Sequence, residues 1–267
     1  MKPRIAIPVP TSKDLAYNER SWPAYATAVE RSGGEAVKIE LGVDPTHLRQ
    51  IFASCQGLCL TGSPADVAPG SYGAETDPLT SPADPDRELA DRTLLEEAAR
   101  HGKPVLGICF GIQMLNVWRG GSLVQHLMPM PVNHEAGSKV AVAHTILIPK
   151  DSLLAELTDA AELTTTAEDQ TNGLQRLPVN TSHHQSVAAP GDGLRIVARC
   201  PEDAVIEAVE APYDTAWDAE QHPATQRPQF FLGVQWHPER SYEISQTSRN
   251  LFTRLISEAG KVQADSQ

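Results

Sequence analysis

The chain has 267 residues, of which 40% are hydrophobic and 21% charged, and this composition excludes an intrinsically disordered protein. The 34 acidic and 22 basic residues give a net charge of −12, which argues against binding to nucleic acid or anionic membranes, because phosphate groups attract clustered cations. No apolar run approaches the ~20 residues that a membrane-spanning helix needs.

The N-terminal half alternates between apolar runs and helical patterns. Its first run ends on two prolines, which is typical of a strand and not of a secretory signal. Ser21 is a suitable N-cap for a helix that ends at glycines 33–34, and Asp84 followed by Pro85 begins a second helix that ends at Gly102. Apolar runs predict strands at residues 5–9, 37–41, 58–61 and 104–108. This order predicts a parallel sheet with helices on both faces.

The second half of the chain is less regular. Apolar runs predict strands at residues 144–148, 194–199, 205–209 and 230–235, and a last helix carries Ile244 and residues 251–256, with Gly260 as its stop. Residues 212–228 have the composition of a polar insertion, and residues 261–267 that of a flexible tail. There is no internal repeat and no clear linker, so we expect residues 1–260 to form a single domain.

The four cysteines do not make a disulfide framework in a chain of this length, so we expect a reducing, cytoplasmic location. Cys55 and Cys59 have a spacing found in metal sites. However, no second Cys or His pair follows at a suitable spacing, and Cys59 lies within an apolar run. We therefore expect buried thiols there and no metal.

The most informative segment is an apolar strand that runs into Gly107-Ile108-Cys109-Phe110-Gly111 and then directly into a helix. This is the cysteine form of the nucleophile elbow, in which flanking glycines permit a sharp, strained turn. The N-terminus of the helix favours the thiolate of Cys109, and the backbone N–H of Phe110 can bind an oxyanion. A buried core cysteine is the alternative, which the strand-to-helix context disfavours.

A base for this thiol is available in the segment Gln235-Trp236-His237-Pro238-Glu239. Pro238 favours an extended conformation at His237, and residues two apart in an extended segment face the same side. Glu239 can then fix the tautomer of the imidazole, as in a Cys–His–carboxylate triad. A surface or capping role for His237 is the alternative.

A third candidate part of the active site is the turn at Gly62-Ser63-Pro64. The backbone N–H of Ser63 in this turn can supply a second hydrogen-bond donor to an oxyanion.

These segments together resemble the class I glutamine amidotransferase superfamily, and within it the gamma-glutamyl-gamma-aminobutyrate hydrolase family of peptidase C26-like enzymes. The resemblance rests on segments in the family's order along most of the chain: Thr61–Val67, Gly102–Val117, Gly120–Leu123, Asn180 with Ser182–Gln185, and Gly233–Glu239. It implies a flavodoxin-like three-layer α/β/α fold with a central, mostly parallel sheet.

The resemblance also implies roles for individual residues. Cys109 is the nucleophile, His237 the base and acid, and Glu239 its orienter. The backbone amides of Ser63 and Phe110 form the oxyanion hole, and the implied substrate-binding residues are Gly62, Gln113 and His184. His184 could equally be a structural histidine. The implied reaction cleaves the amide of a small gamma-glutamyl amine through a thioester, with no metal or cofactor and no nucleic-acid or membrane partner.

Two alternatives stay open. Phe110 follows the nucleophile where this hydrolase branch usually has Arg, and Phe is common in true amidotransferases, so the chain could be a glutaminase subunit that delivers ammonia to a separate synthase. It could also be a catalytically silent binding module on the same fold, because fold alone does not give function. The acidic composition is compatible with a homodimer.

Overall fold

The computed structural model describes residues 1–212 and 229–264, with side chains to residue 262. All strands within these ranges belong to one sheet, with the order β2-β1-β3-β4-β11-β10-β9-β6-β7 and with β8 and β5 branching from β10. The strands are β1 Arg4–Pro8, β2 Glu35–Ile39, β3 Gly57–Leu60, β4 Val105–Ile108, β5 Ser122–Val124, β6 His144–Pro149, β7 Leu174–Val179, β8 Ser186–Ala189, β9 Arg195–Arg199, β10 Ile206–Glu210 and β11 Phe231–Val234.

Helices cover both faces of this sheet, so the expected α/β architecture is confirmed. One apolar core contains side chains of α1, α5 and α8, and the other contains side chains of α2, α3 and α4. The helices are α1 Leu15–Arg31, α2 Pro45–Ala53, α3 Pro85–Arg100, α4 Phe110–Trp118, α5 Leu153–Leu157, α6 Ala167–Thr171, α7 Pro238–Ser241 and α8 Gln246–Ala264. None of the helices in the described ranges is both long and apolar enough to cross a membrane.

The sheet has a parallel part and an antiparallel part. Strands β2, β1, β3, β4 and β11 pair in parallel. All residues of β3, β4 and β11 are buried, which explains their continuous apolar runs, because helices cover both of their faces. Beyond β11 the pairs are antiparallel. The carboxyl ends of β3, β4 and β11 meet at one edge, which is where such sheets hold their sites.

The helix that begins at Asp84 is confirmed, since the side chain of Asp84 accepts the N–H of Arg87. The predicted N-cap at Ser21 is wrong. Helix α1 begins two turns earlier, where the side chain of Asp14 accepts the N–H of Tyr17, and Pro23 lies inside the helix. A proline usually marks the first turn of a helix, but here the helix tolerates the loss of one backbone hydrogen bond.

The predicted end of the last helix at Gly260 is also wrong, because α8 continues to Ala264. A glycine inside a helix costs only about 1 kcal/mol, and the neighbouring Ala259 is fully buried in the core. Ile244 precedes α8 and is exposed, so it does not belong to the apolar stripe. The predicted insertion at 212–228 lies outside the described residues except for Pro212.

Candidate active site

The sharp turn predicted at Cys109 is present between β4 and α4. Cys109 has φ 54° and ψ −104°, a region that costs a non-glycine residue about 1–3 kcal/mol. The flanking glycines are required by close contacts: a Cβ at Gly107 would lie 2.7 Å from the carbonyl oxygen of Gly111, and a Cβ at Gly111 would lie 2.6 Å from that of Leu60. Helix α4 therefore begins directly against the ends of β3 and β4, with Cys109 at the turn.

The backbone amide that follows the thiol is placed to bind an anion. Phe110 is the first residue of α4, so its N–H has no acceptor within the helix. The N-terminus of a helix also carries a partial positive charge. Cys109 is 7% exposed, and both residues line one cavity. This amide can therefore stabilise a negative charge that develops beside the sulfur.

His237 and Glu239 form a buried pair at the end of β11. His237 Nδ1 lies 2.8 Å from Glu239 Oε1. The expected extended segment is wrong, however, because Pro238 begins the short helix α7 and Glu239 lies in its first turn. The carboxylate reaches the ring from the helix, so the predicted contact forms by a different backbone path.

Asn180 holds the backbone of His237 on both sides. Its Oδ1 accepts the N–H of His237 at 2.9 Å, and its Nδ2 donates to the carbonyl of His237 at 2.9 Å. All of these groups are buried. Asn180 belongs to a sequence block that supported the family resemblance, but sequence reasoning gave it no role, because its partners are backbone groups 57 residues away.

Burial alone would lower the pKa of His237, but the negative charges of Glu239 and Cys109 outweigh it and raise the pKa to about 9. Burial alone would raise the pKa of Glu239, but the positive charges of His237 and Arg240 outweigh it and hold this pKa below its ordinary value. His237 Nε2 is buried and has no hydrogen-bond partner among the described residues. The ring is therefore oriented by Glu239 at Nδ1, which turns the other nitrogen toward the cavity and the neighbouring Cys109.

Gly62 brings the loop after β3 close to both side chains. A Cβ there would lie 3.1 Å from His237 Cε1 and 3.6 Å from Cys109 Cβ, so the imidazole and the cysteine converge on this glycine. The N–H of Gly62 donates to the hydroxyl of Tyr25 at 3.0 Å. Gly62 is absent from the cavity lining, whereas Ser63, the next residue, is on it.

Arg87 holds the loop after β3 in place through hydrogen bonds to its backbone carbonyls. Its side chain is fully buried, and it donates to the carbonyl of Thr61 at 2.6 Å and to that of Gly62 at 3.4 Å. Its guanidinium also lies 4.8 Å from the centre of the Phe110 ring and pairs with Asp91. Sequence reasoning missed Arg87, because on a helix with acidic neighbours it looks like a surface residue.

The cavity has a volume of about 500 Å³ and lies over the strand ends. Six of the eight predicted site residues line it: Ser63, Cys109, Phe110, Gln113, His184 and His237. Glu239 lies behind His237, and Gly62 beneath the wall.

The remaining wall of the cavity is polar. Gln113 Nε2 donates to the carbonyl of Gln185 at 3.0 Å, which fixes the side chain at the cavity floor. His184 Nε2 lies 2.9 Å from Asp66 Oδ1, and this contact raises the pKa of His184 against the effect of burial. Arg240 also lines the cavity. The arrangement can bind a small molecule that carries both charges beside a thiol and an imidazole.

The mixed α/β sheet and the Cys109 elbow define a protein of the class I glutamine amidotransferase type. A structural relative supports the fold: a putative GMP synthase subunit from Thermoplasma acidophilum aligns with 100% of this chain and 98% of its own, with a TM-score of 0.60 and 13% identity. More specifically, the chain belongs to the Peptidase C26 family, whose model matches residues 8–239.

Curated relatives agree with this membership. The chain is 34% identical over 238 residues to a putative glutamine amidotransferase of Mycobacterium tuberculosis, across 88% of this chain. It spans only 66% of that relative's length. It is also 30% identical over 241 residues to the gamma-glutamyl-gamma-aminobutyrate hydrolase of Escherichia coli K12, across 87% of this chain and 83% of the relative. Family and relatives together support a hydrolase.

Proposed function

We propose that this protein hydrolyses the amide bond of small gamma-glutamyl amines, of the gamma-glutamyl-gamma-aminobutyrate type, and releases glutamate. One observation carries the proposal: a cysteine strained at a strand-to-helix elbow shares a small polar cavity with a histidine whose far nitrogen is held by a buried glutamate. This is the arrangement that thiol-dependent acyl transfer needs. The hydrolase relatives support the same reaction class.

In the proposed reaction, the Cys109 thiolate attacks the δ-carbonyl carbon of the glutamyl group. The oxyanion accepts hydrogen bonds from the backbone N–H groups of Ser63 and Phe110, and each such donor contributes about 3 kcal/mol to transition-state stabilisation. His237 then gives its Nε2 proton to the departing nitrogen, so the C–N bond breaks and a thioester remains. Water attacks the thioester while His237 takes its proton, and glutamate leaves with the thiolate restored.

The volume of the cavity and the charged residues on its wall also support a small substrate that carries both a positive and a negative charge. Its volume of about 500 Å³ lies within the range of sites for small ligands. The glutamyl group carries an ammonium and a carboxylate, and the wall offers Asp66 and Arg240 as partners of opposite charge. We propose Gln113 and His184 as substrate contacts on the same wall.

The four cysteines are free thiols, which supports a cytoplasmic location.

A second candidate is a glutaminase that passes ammonia to a separate synthase. Phe110 after the cysteine and the relative named as a putative glutamine amidotransferase favour it. The two functions differ in one measurable respect. A free hydrolase releases the amine from gamma-glutamyl amines on its own, whereas a glutaminase of this kind needs its partner for a rapid reaction.

The test is a hydrolysis screen of the purified protein against glutamine, gamma-glutamyl-gamma-aminobutyrate, gamma-glutamyl polyamines, short gamma-glutamyl peptides and folate polyglutamates. We expect glutamate release from the small gamma-glutamyl amines, and none from the Cys109→Ala protein. Turnover of glutamine alone, and only after a synthase is added, would instead support the second candidate.

A silent binding module is tested by alkylation with dilute iodoacetamide. We expect Cys109 to react first, because Cys55, Cys59 and Cys200 are buried and burial raises the pKa of each of their thiols. The cysteine that carries the label is identified by peptide mass spectrometry. Reaction of all four thiols at one slow rate would contradict an activated Cys109.

A further inference from the structure

Three histidines surround the carboxylate of Glu207 on the antiparallel part of the sheet. Oε1 of Glu207 lies 3.3 Å from His134 Nδ1, 3.4 Å from His144 Nε2 and 3.5 Å from His183 Nε2. Glu207 has no exposed surface, and the three histidines are buried. A buried carboxylate needs a compensating positive charge, because water cannot solvate it there. We therefore expect one of these rings to carry that charge.

His134 differs from the other two histidines in what its second nitrogen faces. His134 Nε2 lies 2.9 Å from Asp203 Oδ2, whereas the second nitrogens of His144 and His183 face backbone carbonyl oxygens at 3.1 and 3.0 Å. His134 is thus the ring of the three that has a carboxylate at each nitrogen. A carboxylate only accepts hydrogen bonds, so a neutral His134 would turn a lone pair toward one of two negative charges. A doubly protonated ring meets both carboxylates with a positive charge.

The titratable groups around His134 agree with this assignment. Burial alone would lower the pKa of His134, but Glu207 and Asp203 outweigh it and raise this pKa above its ordinary value. Burial alone would raise the pKa of Glu207, but the histidines lower it to about 2, so this carboxylate is ionised. Burial lowers the pKa of His183, which favours its neutral form. The thiol of Cys200, close to His134 and Asp203, is neutral because burial raises its pKa.

We propose that His134 is a buried imidazolium that ties the segment between β5 and β6 to β10, and that it is a positioning residue for His237. The carbonyl of His134 accepts the N–H of His183 and the hydroxyl of Thr181, both at 2.9 Å. Asn180, the residue before Thr181, holds the N–H and the carbonyl of His237. The ion pairs of His134 therefore fix the backbone that orients His237. This role rests on the proposed function, whereas the charge of His134 does not.

The same ion pairs hold one wall of the cavity. Glu135, the residue after His134, lines the cavity. The N–H of Leu127 donates to the carbonyl of His184 at 2.7 Å, so the segment between β5 and β6 is bound to the segment between β7 and β8 at a second point. The two segments form one wall, and the ion pairs of His134 join this wall to β10 and to the turn before it.

The first experiment measures how many protons the His134 ring carries in the full chain. Two-bond ¹H–¹⁵N spectra of protein labelled with ¹⁵N-histidine distinguish an imidazolium from either neutral tautomer. The signals are assigned by their absence from the spectra of His134→Gln and His144→Gln. At pH 7.5, about one unit above the ordinary pKa of an imidazole, we expect His134 to be doubly protonated. A neutral His134 at this pH would overturn the proposal.

The second experiment compares two histidines that face the same carboxylate. His134→Gln removes the positive charge between Asp203 and Glu207, so the equilibrium constant for unfolding should rise by about 10²-fold or more. His144→Gln is the matched control and should raise it less, because the second nitrogen of His144 faces a carbonyl. Adding Glu207→Gln to His134→Gln should recover part of the loss, because it removes an unpaired charge. An effect of His144→Gln as large as that of His134→Gln would overturn the proposal.

Steady-state kinetics tests the positioning role, at a temperature where the variants are folded. His134→Gln should lower kcat on gamma-glutamyl-gamma-aminobutyrate by about 10- to 100-fold, because a shift of Asn180 turns His237 away from its productive orientation. His144→Gln should lower kcat less. A purely structural role of His134 would leave the kcat of the folded variant unchanged, and that result would overturn the positioning role.

Asp203→Asn replaces His134→Gln if the latter does not fold, because the side chain of Asp203 is partly exposed and its loss should be tolerated better. It should lower kcat in the same direction but by less, and an unchanged kcat would again overturn the positioning role. The spectra need no substrate, so a failure of the hydrolysis screen and a failure of the charge assignment are distinguishable.

Discussion

The described part of the chain contains two buried groups of histidine and glutamate, and they differ in what the ring nitrogens face. In the first, Glu239 holds His237 at Nδ1, while Nε2 has no hydrogen-bond partner among the residues that the structure describes and lies beside the cysteine cavity. In the second, three imidazoles each turn one nitrogen toward the buried carboxylate of Glu207, at 3.3, 3.4 and 3.5 Å from Oε1. An imidazole with an unpaired nitrogen at the cavity can move protons, whereas imidazoles packed around a buried carboxylate join the segments that carry them.

The largest effect expected at the open group is that of Cys109→Ala. We expect complete loss of hydrolysis, because Cys109 is the thiol among the described residues that line the cavity, while circular dichroism and Tm stay close to those of the wild type. The relief of strain at positive φ is small, since alanine is strained there too. Residual turnover in this variant would contradict the nucleophile assignment.

Glu239→Gln should have the next largest effect, a fall in kcat of about 10²- to 10⁴-fold, because the amide orients the ring less well and leaves the imidazolium without its counter-charge. The wild-type kcat/KM should fall on the alkaline side near pH 9, where His237 loses its proton. Glu239 raises the pKa of His237, so its removal should move this limb to lower pH. A full pH–rate profile of both proteins shows whether the alkaline limb moves in this direction.

The pKa of His237 also makes a prediction about stability. In the folded protein it is raised to about 9, above its ordinary value of 6.5. The resulting stabilisation is fully present below pH 6.5 and is lost as the pH rises through 9. Denaturant unfolding at several pH values should show this loss in the wild type, and a smaller loss in His237→Ala.

Arg87→Met tests the support beneath the cavity. We expect the free energy of unfolding to fall by about 3–5 kcal/mol, because the buried carboxylate of Asp91 loses its partner. A second substitution, Asp91→Leu, should restore part of this loss by removing the unpaired charge. Hydrolysis should be slow in the Arg87→Met protein and equally slow in the double variant, because in both the carbonyls of Thr61 and Gly62 lack the guanidinium that donates to them. Urea unfolding and steady-state kinetics separate the two effects.

Tyr25→Phe is the smallest change. The N–H of Gly62 loses the hydroxyl that accepts it, at a cost of about 1–3 kcal/mol. Because this amide is one residue before the proposed oxyanion donor Ser63, kcat should fall by less than the ~10²-fold that removal of a direct donor causes. A loss as large as that of Glu239→Gln would give Tyr25 a direct part in the reaction.

The features that could be predicted from the sequence are those encoded by neighbouring residues. The Cys109 elbow is one strand, one turn and one helix in succession, and the Asp84 N-cap lies beside the helix it begins. The sequence predicts the contact of His237 with Glu239 for the wrong local reason, because a proline that follows an extended residue can also begin a helix. Short-range sequence patterns thus predict which side chains come together at the site, but not always the backbone conformation that positions them.

Features that depend on distant contacts could not be predicted in this way. Asn180 acts on a backbone 57 residues away, and Arg87 on carbonyls 25 and 26 residues away. The histidines around Glu207 come from three separate segments, before β6, in β6 and before β8. In each case the partner is set by sheet topology, which hydrophobic periodicity alone does not specify.

The central claim is that Cys109 forms a covalent gamma-glutamyl intermediate. The direct measurement is peptide mass spectrometry of protein quenched in acid during turnover of gamma-glutamyl-gamma-aminobutyrate. We predict one gamma-glutamyl group on the peptide that contains Cys109 and none on the peptides that contain Cys55, Cys59 or Cys200. Turnover with no adduct on Cys109, or with an adduct at another residue, would contradict the account.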